Sequence, residues 1–170
     1  DRDLLAFFAP EDLVFMDLET TGLSPSLPLF LVGLLYAEER GLVLLQFLAR
    51  RFEEERAVLA AVAAELPRFK VIVTYNGRRF DLPYLRGRFL FHRLSYRWEG
   101  HLFLDLLRHA RRRYRGWLPD CRLVTVETAF CARPPRVDDV PGMMVPELYH
   151  EFVRTQDPAI IEAILAHNAM

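Results

Sequence analysis

Lysine is almost missing from this 170-residue chain: Lys70 is the only one among 22 basic residues, so its positive charge is carried by arginine. Cysteine is nearly as scarce. Cys121 and Cys131 stand ten apart with no second pair, which excludes a four-cysteine zinc site and a disulfide framework. Two free thiols in a reducing cytoplasm are expected, so the localisation expected is cytoplasmic. No apolar run is long enough to span a membrane: the longest, 27–37, is interrupted by Pro28 and Gly33. Signal-peptide patterning, internal repeats and low-complexity tracts are also missing. The chain starts at Asp1 without a methionine and stops at His167-Asn168-Ala169-Met170. Both ends read as cuts, so further domains of the same chain are expected.

What is present is a chain for one globular domain, residues 1–170, since 52% of its residues are hydrophobic. The formal net charge of −1 is unevenly spread. Residues 78–115 hold 11 arginines against three acidic residues, a balance of +8, and the remainder holds 11 basic and 20 acidic residues, −9. That asymmetry points to one face prepared for a polyanion.

The pattern predicts a strand over 13–19 and a hairpin over 29–36 and 42–48, turning at Glu38-Glu39-Arg40-Gly41. Three antiparallel strands follow from the short connections. A helix over 52–66 stops at Pro67. The β-branched run 71–74 is a strand parallel to the first. A helix starts near Asp81, with Pro83 tolerated in its first turn. A short fifth strand over 102–106 runs into a helix through Arg115. Helices follow over 122–130 and 146–154. Asp157 caps a last helix opened by Pro158. The residues 131–145 read as loop. The fold class is α/β: a mixed five-stranded sheet flanked by helices, in the element order of the RNase H-like fold.

Two acidic constellations carry the chemistry. Asp17 and Glu19 lie at i and i+2 on a core strand, so both point to one face, roughly 6.6 Å apart along the chain. Paired carboxylates at a core strand's end repel each other, and a divalent cation removes that cost. Two cations about 3.5–4 Å apart, as in two-metal phosphoryl transfer, need such a shared face. The plainer alternative is a strand end and a polar turn closed by Thr20-Thr21-Gly22. Asp81 follows the turn Asn76-Gly77, at the start of a helix next to the first strand. It either reaches the same metals or is an N-cap worth about 1 kcal/mol.

Together the two segments resemble the DEDD superfamily of 3′–5′ exonucleases. Asp17-x-Glu19-Thr-Thr-Gly looks like its first motif. Asn76-Gly-x-x-Phe80-Asp81-x-Pro83 looks like its second, in the form shared with the proofreading exonuclease domains of family B DNA polymerases. The chain most resembles the YprB-type RNase H-like domains, through further stretches around Asp105, from Cys121 to Glu127, and from Asp139 through Pro146-Glu147-Leu148-Tyr149. The resemblance implies that Asp17, Glu19 and Asp81 hold two Mg²⁺ or Mn²⁺ ions, that Thr20, Asn76 and Phe80 contact substrate, and that His167 is catalytic. Relatives read His-Asn-x-x-Asp at the last motif, and this chain ends one residue before that fourth carboxylate, so the domain is expected to be truncated in its C-terminal helix. The three-residue interval after His167 matches the tyrosine subclass of the superfamily. On its helix His167 shares a face with Ile160 and Ile164, and either lines the site or packs there.

Arg111 and Arg112, within the basic run 108–115, could hold phosphates with Tyr114 stacking a base, or form a solvated helix face. Asp105 has a structural reading. Asp138 and Asp139 read as loop caps, and Trp98 and Trp117 as packing. The expected function is a metal-dependent 3′–5′ exonuclease acting on single-stranded DNA or RNA ends, with no membrane partner. The alternatives are an RNase H-like endonuclease on hybrid or branched substrates and a catalytically weak nucleic-acid-binding module.

Overall fold

Five strands form one mixed sheet in the computed structural model, which describes residues 7–131 and 140–169. Asp138, Asp139 and the central part of the expected loop lie outside the described residues. The strands are β1 (Leu13–Thr20), β2 (Leu29–Glu38), β3 (Gly41–Leu48), β4 (Val71–Thr74) and β5 (Leu102–Asp105), in the order β3-β2-β1-β4-β5. β1, β2 and β3 are an antiparallel meander, while β4 runs parallel to β1 and β5 parallel to β4. Short turns allow the first arrangement, and helical crossovers dictate the second.

The helices are α1 (Glu55–Glu65), α2 (Asp81–Phe91), α3 (Leu106–Tyr114), α4 (Leu123–Phe130), α5 (Val145–Thr155) and α6 (Pro158–Asn168). The expected helix over 52–66 is α1 with a 3-10 turn at either end, Phe52–Glu54 and Leu66–Arg68. Pro67 lies inside the second turn, where its missing amide and fixed φ end the α-helical ladder. Asp157 caps α6 as expected, its Oδ1 accepting from the Ala159 amide at 2.9 Å.

β2 is buried over nearly its whole length, which its continuous apolar run anticipates. α1 packs over β2 and β3, while α5 and α6 pack on each other and against β1. Tyr149 of α5 anchors that second layer: its ring stacks on Phe30 at 3.7 Å and its hydroxyl donates to the Ala49 carbonyl at 2.8 Å. Both cysteines are free thiols. Among the described residues no helix is long and apolar enough to cross a membrane.

Two aromatic expectations need correction. Trp98 packs, edge to face, on Phe89 and Tyr96. Trp117 does not: it is 86% exposed, carried out by the left-handed turn at Gly116. Tyr114 lies against Phe130 of α4 with ring centroids 4.3 Å apart, so its ring face is occupied from within the fold.

Candidate active site

The site begins as a row across three strands. Asp17 on β1 pairs with Gly33 on β2, and Gly33 pairs with Gln46 on β3. Directly opposed residues point to the same face. A glycine between an acid and an amide leaves a gap in that face. Asn168, from the last turn of α6, fills it: a β-carbon on Gly33 would stand 2.3 Å from Asn168 Oδ1.

Gln46 orients the asparagine. Its Nε2 donates to the Leu165 carbonyl at 2.8 Å and to Asn168 Oδ1 at 3.1 Å. With its oxygen committed to Gln46, Asn168 turns Nδ2 toward the acids. That nitrogen donates to Asp17 Oδ2 at 3.1 Å and reaches Glu19 Oε1 at 3.5 Å. One neutral donor thus serves the two carboxylates that strand alternation brings together, and it offsets part of their mutual repulsion. Glu19 is buried and Asp17 exposed, beside a register shift in the β1–β2 ladder between Glu19 and Thr20.

Asp81 completes the acidic corner from the other side. It is the first residue of α2, and no side-chain hydrogen bond caps that helix, so the capping alternative is not what the structure contains. Asp81 is only 5% exposed. Burial pushes its carboxyl up to about 7, reinforced by the negative charge of Asp17 and more weakly by that of Asp105. The amides of Asp81 and of Leu18 on β1 pull the other way and do not prevail. The protonated form is therefore favoured below neutrality for want of a nearby cation. Among the described residues, no three carboxylates, imidazoles or thiols stand in metal-binding geometry. The acids are neighbours that repel one another, and Asn168 draws two of them to itself.

The loop from β4 to α2 is held by Asp105, at the end of β5. Its Oδ1 accepts from the amides of Asn76 at 2.9 Å and Leu107 at 3.0 Å, and its Oδ2 accepts from Arg78 at 3.3 Å. This is the structural role its position suggested. Asn76 takes the left-handed conformation, φ 69°, and Gly77 packs so closely on Thr74 that a β-carbon would fall 2.3 Å from its Oγ1. Phe80 is half-buried, its ring 5.4 Å from that of Tyr84.

The remaining expected residues divide. The buried Thr20 spends its hydroxyl on the Gly22 carbonyl at 2.9 Å. The His167 ring lies about 3.6 Å from where a β-carbon on Gly142 would stand. Arg111 and Arg112 lie apart from the carboxylates, in a groove along β5. Sequence reasoning missed Asn168 as a partner of the acids, and Gln46 and Gly33 altogether. The one signal available was a polar residue and a glycine interrupting two apolar strands.

Residues 14–170 match the family model described as the RNase H superfamily. Over 164 residues the chain is 34% identical to YprB of Bacillus subtilis (strain 168), an uncharacterized protein, across 94% of this chain and 39% of YprB. It therefore spans well under half of that relative's length. Its fold is similar to part of the family B DNA polymerase from the hyperthermophilic archaeon Pyrobaculum calidifontis, with a TM-score of 0.69 and 18% identity over 96% of this chain and 23% of the polymerase. The chain belongs to the RNase H superfamily, as an RNase H-like domain of the YprB type.

Proposed function

We propose that this domain is a metal-dependent nuclease that removes nucleotides from the 3′ end of single-stranded DNA or RNA. Membership of the RNase H superfamily supports nuclease activity in general, and nucleic acid as the substrate. The observation that carries the finer reading is Asp81. It is buried, performs no capping, and lies close enough to Asp17 that burial and that charge push its carboxyl up to about 7. A structural acid is supplied with a counter-charge by its own fold. This one is supplied with a second negative charge.

The donor set fits a hard divalent cation such as Mg²⁺ or Mn²⁺, because the acids offer carboxylate oxygens alone. Asp17, Glu19 and Asp81 would hold two such ions. When bound, the ions supply the Lewis acidity that activates water and stabilises the leaving 3′ oxygen. Asn168 keeps Asp17 and Glu19 turned to one face. In this reading Asn76 and Phe80, on the loop fixed by Asp105, contact the terminal nucleotide together with Thr20. A proton-accepting role for His167 rests on the family resemblance alone, since its ring lies against Gly142.

Incubating a 5′-labelled single strand with the protein and Mn²⁺ tests this reading. Stepwise shortening from the 3′ end is expected, abolished by EDTA and by Asp17→Asn. Internal fragments would assign an endonuclease instead. Full activity in Asp17→Asn, or no hydrolysis by the unaltered protein, would overturn the mechanism.

A further inference from the structure

Beside the acidic corner, a groove of about 1240 Å³ runs along β5, the edge strand of the sheet, between α2 and α3. It is larger than a typical small-molecule pocket of about 300–1,000 Å³. Six arginines line it: Arg78, Arg79 and Arg86 from the α2 side, Arg108, Arg111 and Arg112 from α3. Its one acidic residue is Asp105, whose two oxygens are committed to the amides of Asn76, Arg78 and Leu107. Among the described residues no carboxylate lies within ion-pair distance of Arg78, Arg79, Arg86, Arg108 or Arg111.

Helix stability accounts for part of this charge. Arg111 and Arg112 sit in the last turn of α3, where cations favour the helix dipole. It does not account for Arg78, Arg79 and Arg86, which arrive from a different segment and meet the α3 arginines across one groove. All six are exposed to solvent, and gathered along one groove they raise a positive potential that attracts a polyanion. The wall also carries an exposed aromatic, Phe103 of β5, with the Arg86 guanidinium 5.5 Å from its ring centroid. Cations along a track with an aromatic platform suit a nucleic-acid strand, because phosphates take the charges and a base takes the ring face. The groove opens beside the acidic corner: Leu82, the neighbour of Asp81, lines it, and so does Asp105, which holds the loop leading into Asp81 through the amides of Asn76 and Arg78.

We infer that the β5-edge groove is a strand-binding track separate from the acidic corner, which grips the phosphates of single-stranded DNA or RNA several nucleotides away from the end being cut and stacks one base on Phe103. The inference rests on the nuclease reading for its substrate class, but it assigns a different surface.

The test is fluorescence anisotropy of a labelled oligothymidylate in EDTA across a salt series, using the whole protein. Each phosphate neutralised on a single strand contributes about −0.7 to the log–log salt slope. Arg79→Ala/Arg108→Ala/Arg111→Ala is expected to flatten the slope by about 2, and the corresponding triple lysine variant to keep it. Phe103→Ala is expected to weaken binding about tenfold through loss of base stacking, with the slope unchanged. An unchanged slope in the triple alanine variant, with its circular dichroism intact, would overturn the track. Heparin binding as tightly as the oligonucleotide, together with no effect of Phe103→Ala, would make it a general polyanion or phosphopeptide surface and overturn the nucleic-acid assignment. Mn²⁺-dependent hydrolysis by the unaltered protein separates the two levels. If it occurs while the triple variant's slope is unchanged, the track fails alone; if it is absent while the slope still flattens, the track stands and the nuclease reading fails.

Discussion

Asp81 and Glu55 are both buried acids, 5% and 2% exposed, and the fold treats them in opposite ways. Burial raises each carboxyl. Around Glu55 that rise is more than offset by Arg88, His92 and the Leu29 amide, so its carboxyl ends below its ordinary range. Arg88 grips it with two bonds of 2.6 Å, His92 lies at 2.8 Å, and the Leu29 amide donates at 2.9 Å. The same guanidinium donates to the carbonyls of Pro25 and Ser26, tying α1, α2 and the β1–β2 connection together. Around Asp81 the charges acting on it, those of Asp17 and Asp105, are both negative. Burial alone therefore says little about an acid's purpose. What separates a structural carboxylate from a candidate ligand is whether the chain supplies the counter-charge itself.

Removing the supplied cation has the largest expected effect. Arg88→Leu leaves Glu55 buried without its main partner and is expected to destabilise the protein by about 3–5 kcal/mol in urea unfolding near neutral pH. Adding Glu55→Gln to that variant should recover much of the loss. A change below about 1 kcal/mol would end the contrast, because Glu55 would then be no better served than Asp81.

The mirror experiment at Asp81 carries the opposite sign. A carboxyl raised from 3.8 to about 7 weakens the fold when it ionises, so Asp81→Asn in EDTA should stabilise the protein by on the order of 4 kcal/mol above pH 7 while abolishing Mn²⁺-dependent hydrolysis. The gain should be absent below pH 3.8, where both forms are neutral, grow between 3.8 and about 7, and stay level beyond. Glu55 sharpens the comparison from the other side. Its lowered carboxyl stabilises the fold above its ordinary 4.5, and that contribution is lost as pH falls through its depressed value. Thermal melts of the unaltered, Asp81→Asn and Glu55→Gln proteins across this range check the two statements in turn, and a variant whose curve runs parallel to the unaltered protein's at every pH would refute the statement about its residue.

The smallest expected effect tests what partly neutralises the acidic corner. Gln46→Leu frees the Asn168 amide to turn while leaving all three carboxylates in place. Outer-shell partners of this kind typically alter metal affinity by about 10–100-fold. A calorimetric Mn²⁺ titration is expected to shift by about tenfold, with unfolding stability changed by about 1 kcal/mol. A titration identical to that of the unaltered protein would show that Asn168 needs no orienting partner.

The sheet was legible from the sequence because its cues are local. The apolar run that opens β1, the turn Glu38-Glu39-Arg40-Gly41 and the β-branched run of β4 each lie within a few residues, and all five strands fall where those cues put them. Asp17 and Glu19 were legible for the same reason, as their shared face follows from strand geometry alone. The role of Asp81 was open, since a helix-starting aspartate reads as a cap until the neighbouring strand is in place. The Gln46–Gly33–Asp17 row was not legible at all. It depends on the register of two strand pairs, and on a helix whose last turn lies 122 residues beyond Gln46 in sequence. The exposure of Trp117 was equally hidden, because one left-handed glycine decides it.

The vacant side chain at Gly33 makes one strand transparent to its neighbours. β2 bears no reactive group on the face toward α6 at this point, yet whatever stands at position 33 decides where the Asn168 amide can rest. An alanine there need not disturb the core, because the atom it would strike is the tip of a side chain that can swing aside. What it would break is communication: the outer strand β3, through Gln46, would no longer reach the acids on β1. A single methyl group could thus silence this corner of the molecule while every acid, amide and arginine in it remained untouched.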